Sequence, residues 1–402
     1  MKSHLCLMYI LSIMVTIIIP QYTCEAEKLL IANGQYYLID GENQKDGENI
    51  AFQYALRNAV QQTETIVSAY SEINNMQLSK DVIYAVSAGI VHIKNKEVVW
   101  KNPKEVLVDI SVSVDEEKLQ SQINDMVSNY KVVLQYKQLK DDFDALIEEN
   151  NSLRTQMNTL HNKIQINNIS QRIKDNNQRF LAQVLFEQAL NLYVDKEYEA
   201  AISAIDSSLE IDRLYINAYG LRSSIYDDMG QKDKALADLN YAIGISDDYY
   251  QLYANRSLIY KENGDFNAAI TDINKAISLS PNTPYLYYLR GNLNGFKSYE
   301  QGIADYNKAI SLDSGLYEAY AARGMCYTFL EQFEKAYDDA MKAISINPFS
   351  GYPYVSAAVA LTNMGNYRAA LDNINKAIKY EEDAGQLQKC MQMKKILENA
   401  LN

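Results

Sequence analysis

The chain has 402 residues and a formal net charge of -13 at pH 7. A strongly acidic chain is a poor candidate for binding nucleic acid, because that binding depends on lysine and arginine contacts to phosphates. The sequence holds only 3 histidines, and no glycine-rich phosphate loop, nucleophile elbow or zinc-protease helix occurs in it. We therefore predict no enzyme, no metal site and no cofactor.

Residues 1–26 have the organisation of a secretory signal peptide. Lys2 precedes an apolar stretch from Leu5 to Pro20, and Cys24 and Ala26 occupy the -3 and -1 places of a plausible cleavage site. The apolar stretch has about 16 residues, fewer than the roughly 20 of a membrane-spanning helix. An uncleaved membrane anchor and lipidation at Cys24 remain as alternatives, although the residues before Cys24 match the bacterial lipoprotein pattern poorly.

Residues 27–115 are predicted to form a small α+β domain in the order strand, helix, short helix and two strands. The stretch "KLLIANGQYYLID" is rich in β-forming residues, and "VLVDISVSV" from Val106 alternates with period two. Between them, Ala51, Ala55 and Ala59 recur at helical spacing. Together with "AGIVHIKNKEVVW", these signals predict one α+β unit.

Three stretches of this domain carry a resemblance to known proteins. They are "GQYYLIDGENQKDGENIAFQYALRNAV", "IVSAYSEINNMQLSKDVI", and "SAGIVHI" followed by the "VLVDISVSV" strand. The domain resembles the N-terminal domain of flagellar assembly protein T and related small outer-membrane lipoproteins. Members of that family are envelope proteins of Gram-negative bacteria, so the resemblance implies a periplasmic or cell-envelope location. The rest of the chain differs from that flagellar protein, and the resemblance therefore implies the compartment rather than a flagellar role.

Residues 116–175 are predicted to be a coiled coil followed by a hinge. Every seventh residue from Val132 to Leu160 is Val or Leu, and a second seam of large residues lies four positions beyond each of them. In parallel coiled coils a single polar Asn150 in such a seam fixes the register and favours two strands. We therefore predict a homodimer, with a long helix on the protein's own surface as the alternative. The predicted oligomerisation residues are Leu139, Phe143, Leu146, Asn150, Leu153, Met157 and Leu160.

The remainder of the chain repeats itself. A small residue marks each unit, at Ala201, Ala235, Ala269, Gly302, Ala336 and Ala370. The markers are 34, 34, 33, 34 and 34 residues apart. A large side chain precedes most markers by 16 positions, and a second small residue follows each by 7 positions. Small residues at these places let helices approach closely, while the large side chain fills the space between them.

This pattern resembles the tetratricopeptide repeat (TPR), a helix-turn-helix unit of 34 residues, over residues 182–384. The resemblance implies an α-solenoid of about six repeats. Residues 385–402 are predicted to form an amphipathic helix that caps the open end. The predicted fold is therefore mostly α, a TPR solenoid preceded by a coiled-coil helix and a small α+β domain, with Cys326 and Cys390 as buried thiols.

A charged pattern also recurs in the repeats. Arg222, Arg256, Arg290 and Arg323 hold the seventh place of their repeats, and Asp238, Asp272, Asp305 and Asp339 the twenty-third. The arginines could form a ladder that binds acidic ligands, or each could pair with an aspartate on the neighbouring helix. An unpaired arginine facing the core would be costly, which favours the structural pairing.

The TPR resemblance implies a binding surface on the concave face, at places 2, 5, 9 and 12 of each first helix. The predicted groove residues are Tyr285, Tyr288, Asn292, Met325, Tyr352 and Val355. An uncharged floor with tyrosines and a methionine suits a peptide whose apolar side chains need pockets. The alternative is that some of these side chains only pack one repeat on the next.

The predicted function is that of a secreted or periplasmic scaffold. It would self-associate through the coiled coil and bind protein or peptide partners in the groove, and two grooves per dimer would raise avidity. A structural component of an envelope or flagellar ring is one alternative. An uncharacterised enzyme is another, and it would need perturbed acids in a cleft.

Overall fold

The computed structural model describes residues 27–39, 42–73, 76, 78–115, 119–160, 162–295, 297–380 and 384–401. The predicted signal peptide, the alternative anchor and Cys24 therefore lie outside the described residues. Within the described ranges, no helix is both long and apolar enough to cross a membrane.

An α+β domain forms the N-terminal part, in the element order that the sequence predicts. Its elements are β1 (Glu27–Tyr37), α1 (Gln44–Ile73), α2 (Lys80–Gly89), β2 (His92–Asn102) and β3 (Glu105–Asp115). The strands form an antiparallel sheet in the order β1-β3-β2. α1 packs on β1 and β3, so β3 alternates between buried and half-buried residues, whereas β2 is exposed along nearly its whole length.

The contact between α1 and β1 is closest at Gly34. A Cβ atom added at Gly34 would lie 2.0 Å from the carbonyl oxygen of Ala51. The predicted stripe of Ala51, Ala55 and Ala59 is completely buried. A glycine on the strand and alanines on the helix together allow the two backbones to touch.

Three helices connect this domain to the repeats, namely α3 (Leu119–Ser128), α4 (Tyr130–Thr159) and α5 (Lys163–Val194). The segment after Ile164, predicted to be a hinge, is instead an uninterrupted part of α5. It remains helical because Ile173 and its neighbours are buried against α4 and the α+β domain.

α4 and α5 form an antiparallel hairpin. Near the turn, the Ser170 hydroxyl lies 3.5 Å from the Met157 sulfur. At the far end, Tyr136 of α4 donates a hydrogen bond to Asn191 of α5. Asn162 caps α5 by accepting a hydrogen bond from the Ile164 N–H at 2.9 Å, so the turn is well defined.

The repeats form a stack of six helix pairs, of which α5 contributes the first helix, followed by a final helix. The helices after α5 are α6 (Tyr198–Ile211), α7 (Ile216–Asp228), α8 (Lys232–Ile245), α9 (Tyr250–Glu262), α10 (Phe266–Leu279), α11 (Pro284–Gly295), α12 (Tyr299–Leu312), α13 (Tyr317–Phe329), α14 (Phe333–Ile346), α15 (Gly351–Asn363), α16 (Tyr367–Tyr380) and α17 (Ala384–Leu401). The small marker residues are buried in every repeat. The predicted solenoid of about six repeats with a capping helix is confirmed.

In most repeats, the turn between the two helices contains a residue in the left-handed backbone conformation. Gly230, Gly264 and Gly365 have φ angles of 73°, 80° and 75°, a conformation in which glycine commonly ends a helix. Lys196 and Glu331 take the same conformation, with φ angles of 62° and 57°, in repeats whose turns lack a glycine. The geometry of the turn is therefore conserved between repeats even where the residue type changes.

The repeated arginines pair with the repeated aspartates. The pairs are Arg222–Asp238, Arg256–Asp272, Arg290–Asp305 and Arg323–Asp339, at shortest distances of 2.7, 2.7, 2.6 and 2.6 Å. Each guanidinium also donates a hydrogen bond to a side chain on the second helix of the preceding repeat. The structural alternative is confirmed, and these arginines link each repeat to the one before it.

The two cysteines that the sequence places in the repeats, Cys326 and Cys390, are buried thiols that form no disulfide. This agrees with the prediction that they serve packing.

Candidate functional site on the inner face of the repeats

We define the inner face as places 2, 5, 9 and 12 of the first helix of each repeat. In repeats 2 to 6 these helices are α7, α9, α11, α13 and α15. The residues at place 2 are Asn217, Gln251, Tyr285, Glu318 and Tyr352. They form one row that crosses the repeats in order.

Helix α4 of the same chain lies along the inner face of repeats 2 to 4. The contacts are Asp142 with Asn217 at 2.9 Å, Gln138 with Gln251 at 3.3 Å, and Tyr130 with Tyr285 at 5.2 Å between ring centroids. These contacts move toward the N-terminus of α4 as the repeat number rises. α4 therefore runs antiparallel to the order of the repeats and begins at repeat 4, where Tyr130 contacts Tyr285.

The contact between α4 and the inner face is polar at repeats 2 and 3 and aromatic at repeat 4. A cavity of about 190 Å³ lies beside Asp142 and Asn217. Farther along the contact, beside Gln138 and Gln251, Gln135 Oε1 is buried without a hydrogen-bond partner among the described residues. A buried polar atom without a partner costs about 1–3 kcal/mol, so this contact is less well satisfied than the core of the repeats.

The predicted groove residues lie at and beyond the end of α4. Tyr285 is covered by Tyr130. Tyr288 is half-buried, and its ring centroid lies 5.6 Å from that of Tyr285. Asn292 accepts a hydrogen bond from the Tyr306 hydroxyl at 2.7 Å, so its side chain is already held in place.

The other three predicted groove residues lie on repeats 5 and 6. Met325 and Val355 are half-buried. Tyr352 is 41% exposed. The structure thus covers Tyr285 with Tyr130 and leaves an accessible part that runs from Tyr288 of repeat 4 through repeats 5 and 6. The role of the six residues in binding stays a prediction.

Sequence models of known families match the repeats. Models described as TPR repeat and tetratricopeptide repeat match residues 258–295, 216–249 and 317–350. The chain contains tetratricopeptide repeats. The matched residues all lie within the TPR solenoid, so the resemblance of residues 27–115 to flagellar assembly protein T stays a prediction. No curated protein matches the sequence.

Solved TPR structures resemble this one in fold. Cut9 with Hcn1, an APC/C hetero-tetramer, has a TM-score of 0.50 at 12% identity, covering 71% of this chain and 64% of that chain. A tetratricopeptide repeat protein from Parabacteroides merdae has a TM-score of 0.45 at 16% identity, covering 63% and 99%. YrrB, described as a TPR protein with an unusual peptide-binding site, has a TM-score of 0.35 at 17% identity, covering 47% and 98%. At 12% identity, the similarity to the Cut9 structure shows the fold alone.

One residue of the TPR inner face was missed by the sequence analysis, namely Glu318 at place 2 of repeat 5. Burial raises the pKa of its carboxyl to about 8, partly offset by a backbone hydrogen bond, and Asp313 adds to the rise. No other side chain among the described residues forms a hydrogen bond or ion pair with it. Glu318 was missed because most carboxylates on a helical solenoid are solvated. Its position at place 2 of the repeat is the signal that could have identified it.

The predicted oligomerisation residues lie inside the chain. Leu139, Phe143, Leu146, Asn150 and Leu153 are buried, and Met157 and Leu160 are half-buried. Phe143, for example, packs on Phe180 of α5 at 4.8 Å between ring centroids. In this structure the seam is covered by α5 and the α+β domain, and the homodimer stays a prediction.

Asn150 has two partners on α5 that the sequence analysis did not identify. Its amide donates to Asn177 Oδ1 at 3.1 Å, and its own Oδ1 accepts from Asn176 at 3.1 Å. Asn177 also donates to the Tyr36 hydroxyl at 2.9 Å. This buried polar network fixes the register of the α4–α5 hairpin against β1.

Over the described residues, no group of three or more His, Cys, Asp or Glu side chains could hold a metal ion.

Proposed function

We propose that this protein is a non-catalytic TPR scaffold that binds a peptide segment of a partner protein on the inner face of repeats 4 to 6. The observation that supports this most is α4 itself. The inner face of repeats 2 to 4 already holds a helix through place 2 of each first helix. The same row continues into repeats 5 and 6, where Tyr352 is 41% exposed.

The chemistry of the accessible part suits a peptide. Met325 and Val355 offer apolar contact, and tyrosines offer both a ring and a hydroxyl for hydrogen bonding. Extended concave surfaces of this kind are the usual binding surfaces of repeat proteins.

Photo-crosslinking in the native cell tests this proposal. A photoreactive phenylalanine analogue is placed at Tyr352 and, as a matched control, at Met341, which is also 41% exposed but lies on the second helix of repeat 5. We expect a discrete adduct with one or few proteins at position 352 and none of these at position 341. The same adducts at both positions, or none at 352, would contradict the proposal.

We also propose that the protein acts in the periplasm or cell envelope. The support is the composition of residues 1–26 and the family resemblance of residues 27–115. A C-terminal alkaline phosphatase fusion, which is active only after export, tests the location. Lipidation is tested separately by comparing the membrane fraction of the wild type with that of Cys24→Ala.

A second candidate function is a structural part of an envelope ring, assembled through the α+β domain. The observation in its favour is an apolar row on the outer face of β1, where Leu29, Ile31 and Tyr37 are 60%, 70% and 54% exposed. Such a row on an edge strand is a ready surface for association. Ring-shaped particles in electron micrographs of the wild type that disappear in Ile31→Glu would favour this candidate over the scaffold.

A further inference from the structure

The N-terminal end of α4, at Tyr130, marks the boundary between the part of the inner face that α4 covers and the part that is accessible. Tyr130, the first residue of α4, packs on Tyr285, and Tyr285 packs on Tyr288, at 5.2 and 5.6 Å between ring centroids. These three rings form a continuous aromatic wall at the boundary between the covered part and the accessible part.

Glu318 lies next to this wall. Burial, followed by the charge of Glu318, raises the pKa of Tyr288 to about 12. Burial is also the main reason that the pKa values of Tyr130 and Tyr285 are raised, and Glu318 contributes to both. The packing places Glu318 here as well, because Leu316 and Ala319, on either side of it in the sequence, belong to the same buried cluster as Tyr130, against which Tyr285 and Tyr288 pack.

Among the described residues, no Lys, Arg or His forms an ion pair with the carboxyl of Glu318. No Lys or Arg stands at places 2, 5, 9 or 12 of repeats 4 to 6. Half-burial without a counter-ion raises the pKa of this carboxyl to about 8, so it is largely protonated at pH 7, and pairing with a cation favours the carboxylate. In the same repeat the buried Asp339 pairs with Arg323 at 2.6 Å, whereas the half-buried Glu318 has no such ion pair among the described residues.

Aromatic faces and a carboxylate together favour one class of ligand. The face of a tyrosine ring is electronegative and attracts a cation within about 6 Å of its centroid. The solenoid already uses this contact, since the guanidinium of Arg323 lies 5.5 Å from the ring centroid of Tyr320. A net charge of -13 on the whole chain adds a long-range attraction for basic partners.

We propose that the inner face of repeats 4 to 6 binds a partner segment that carries a lysine or arginine side chain, which pairs with Glu318 and stacks on Tyr288. This inference rests on the proposed function, because it names the chemistry of the peptide that the accessible part of the inner face takes. The apolar residues on either side of that cation would contact Met325 and Tyr352.

The test is selection from a displayed library of random peptides on the purified protein. The same selection is run on Glu318→Gln, which keeps the size and shape of the side chain, and on Glu334→Gln, an exposed glutamate on α14 of the same repeat. Circular dichroism establishes that both variants keep the helical content of the wild type. The selected peptide and a version with glutamine in place of its basic residue are then titrated.

We expect the wild type and Glu334→Gln to select peptides with a basic residue at one position, and Glu318→Gln to lose that preference. Replacing the basic residue should weaken binding to the wild type about tenfold, as for loss of one partly buried charge pair. It should weaken binding to Glu318→Gln clearly less, because only the contact with Tyr288 is then lost. Selection of peptides without a basic preference, or an equal preference in Glu318→Gln, would overturn this inference and leave the proposed function intact. Failure to select any peptide would overturn the proposed function together with the inference.

Discussion

Replacing Asn150 with leucine tests whether the seam of α4 serves this chain or a second copy of it. Asn150 is 6% exposed and makes two hydrogen bonds of 3.1 Å to Asn176 and Asn177. A leucine has a similar size but can make neither bond. The donor of Asn176 and the acceptor of Asn177 would then be buried without a partner, because these residues are only 5% and 3% exposed.

The expected loss in the free energy of unfolding follows from these two buried polar groups of Asn176 and Asn177. Each buried polar group left without a partner costs about 1–3 kcal/mol, so the two together cost about 2–6 kcal/mol. The leucine recovers about 1–2 kcal/mol by burying apolar surface. We therefore expect the free energy of unfolding to fall by about 3 kcal/mol. The matched control is Asn151→Leu, one residue further along α4 and exposed, for which we expect a change within about 0.5 kcal/mol.

Urea unfolding followed by circular dichroism measures the stability, and light scattering of the same samples measures the molar mass. We expect Asn150→Leu to unfold at a lower urea concentration with an unchanged molar mass. If the wild type is a dimer and Asn150→Leu keeps its stability while forming larger oligomers, the seam joins two chains and the hairpin reading is wrong.

Three further predictions follow from the described contacts. Arg222 pairs with Asp238, whose side chain is 13% exposed, and with Asp206, whose side chain is 53% exposed. In urea unfolding we expect Asp238→Asn to lower the free energy of unfolding by about 3 kcal/mol and Asp206→Asn by less than about 1 kcal/mol. Equal losses of stability in the two variants would contradict this. Burial raises the pKa of Glu318 from 4.5 to about 8. Between those pH values the folded chain holds a proton that the unfolded chain has lost, so stability falls as pH rises. The melting temperature of Glu318→Gln should fall less over this pH range, and an equal fall in wild type and variant would refute the pKa shift. Gly34→Ala should destabilise the α+β domain by about 3 kcal/mol, measured by thermal unfolding, because its methyl group meets the Ala51 carbonyl; an unchanged melting temperature would show that the helix can move away.

The repeats could be predicted from the sequence because the residues that pack each repeat recur at the same places in the next one. Arg256 and Asp272, for example, stand 16 residues apart, and the spacing is 16, 15 and 16 in the other three pairs. Pairing was therefore the simplest explanation for all of them. The structure shows this pair at 2.7 Å. Local contacts that recur at a fixed period can be inferred from one chain, since the pattern is tested several times within it.

The partner of α4 could not be predicted in the same way. A heptad seam shows that Leu139 and Phe143 face another helix, but it does not say which helix. A partner in the same chain is favoured because the turn holds it at a high effective concentration. One signal was present: Asn162 is a strong N-cap residue three positions before Gln165, and it marks the start of a new helix rather than a continuing coil.

The placement of α4 also decides where a partner can bind. A covalently attached helix competes at an effective concentration of about 1 mM, so a partner at about 1 μM would need to bind repeats 2 to 4 about a thousandfold more tightly than α4 does. Displacing α4 would also uncover its opposite face, where Tyr136 and Leu139 are buried. We therefore expect a partner to bind beside α4 rather than in its place, on repeats 4 to 6. Tyr130 then forms one wall of the site, so the length and register of α4 set where the accessible inner face begins.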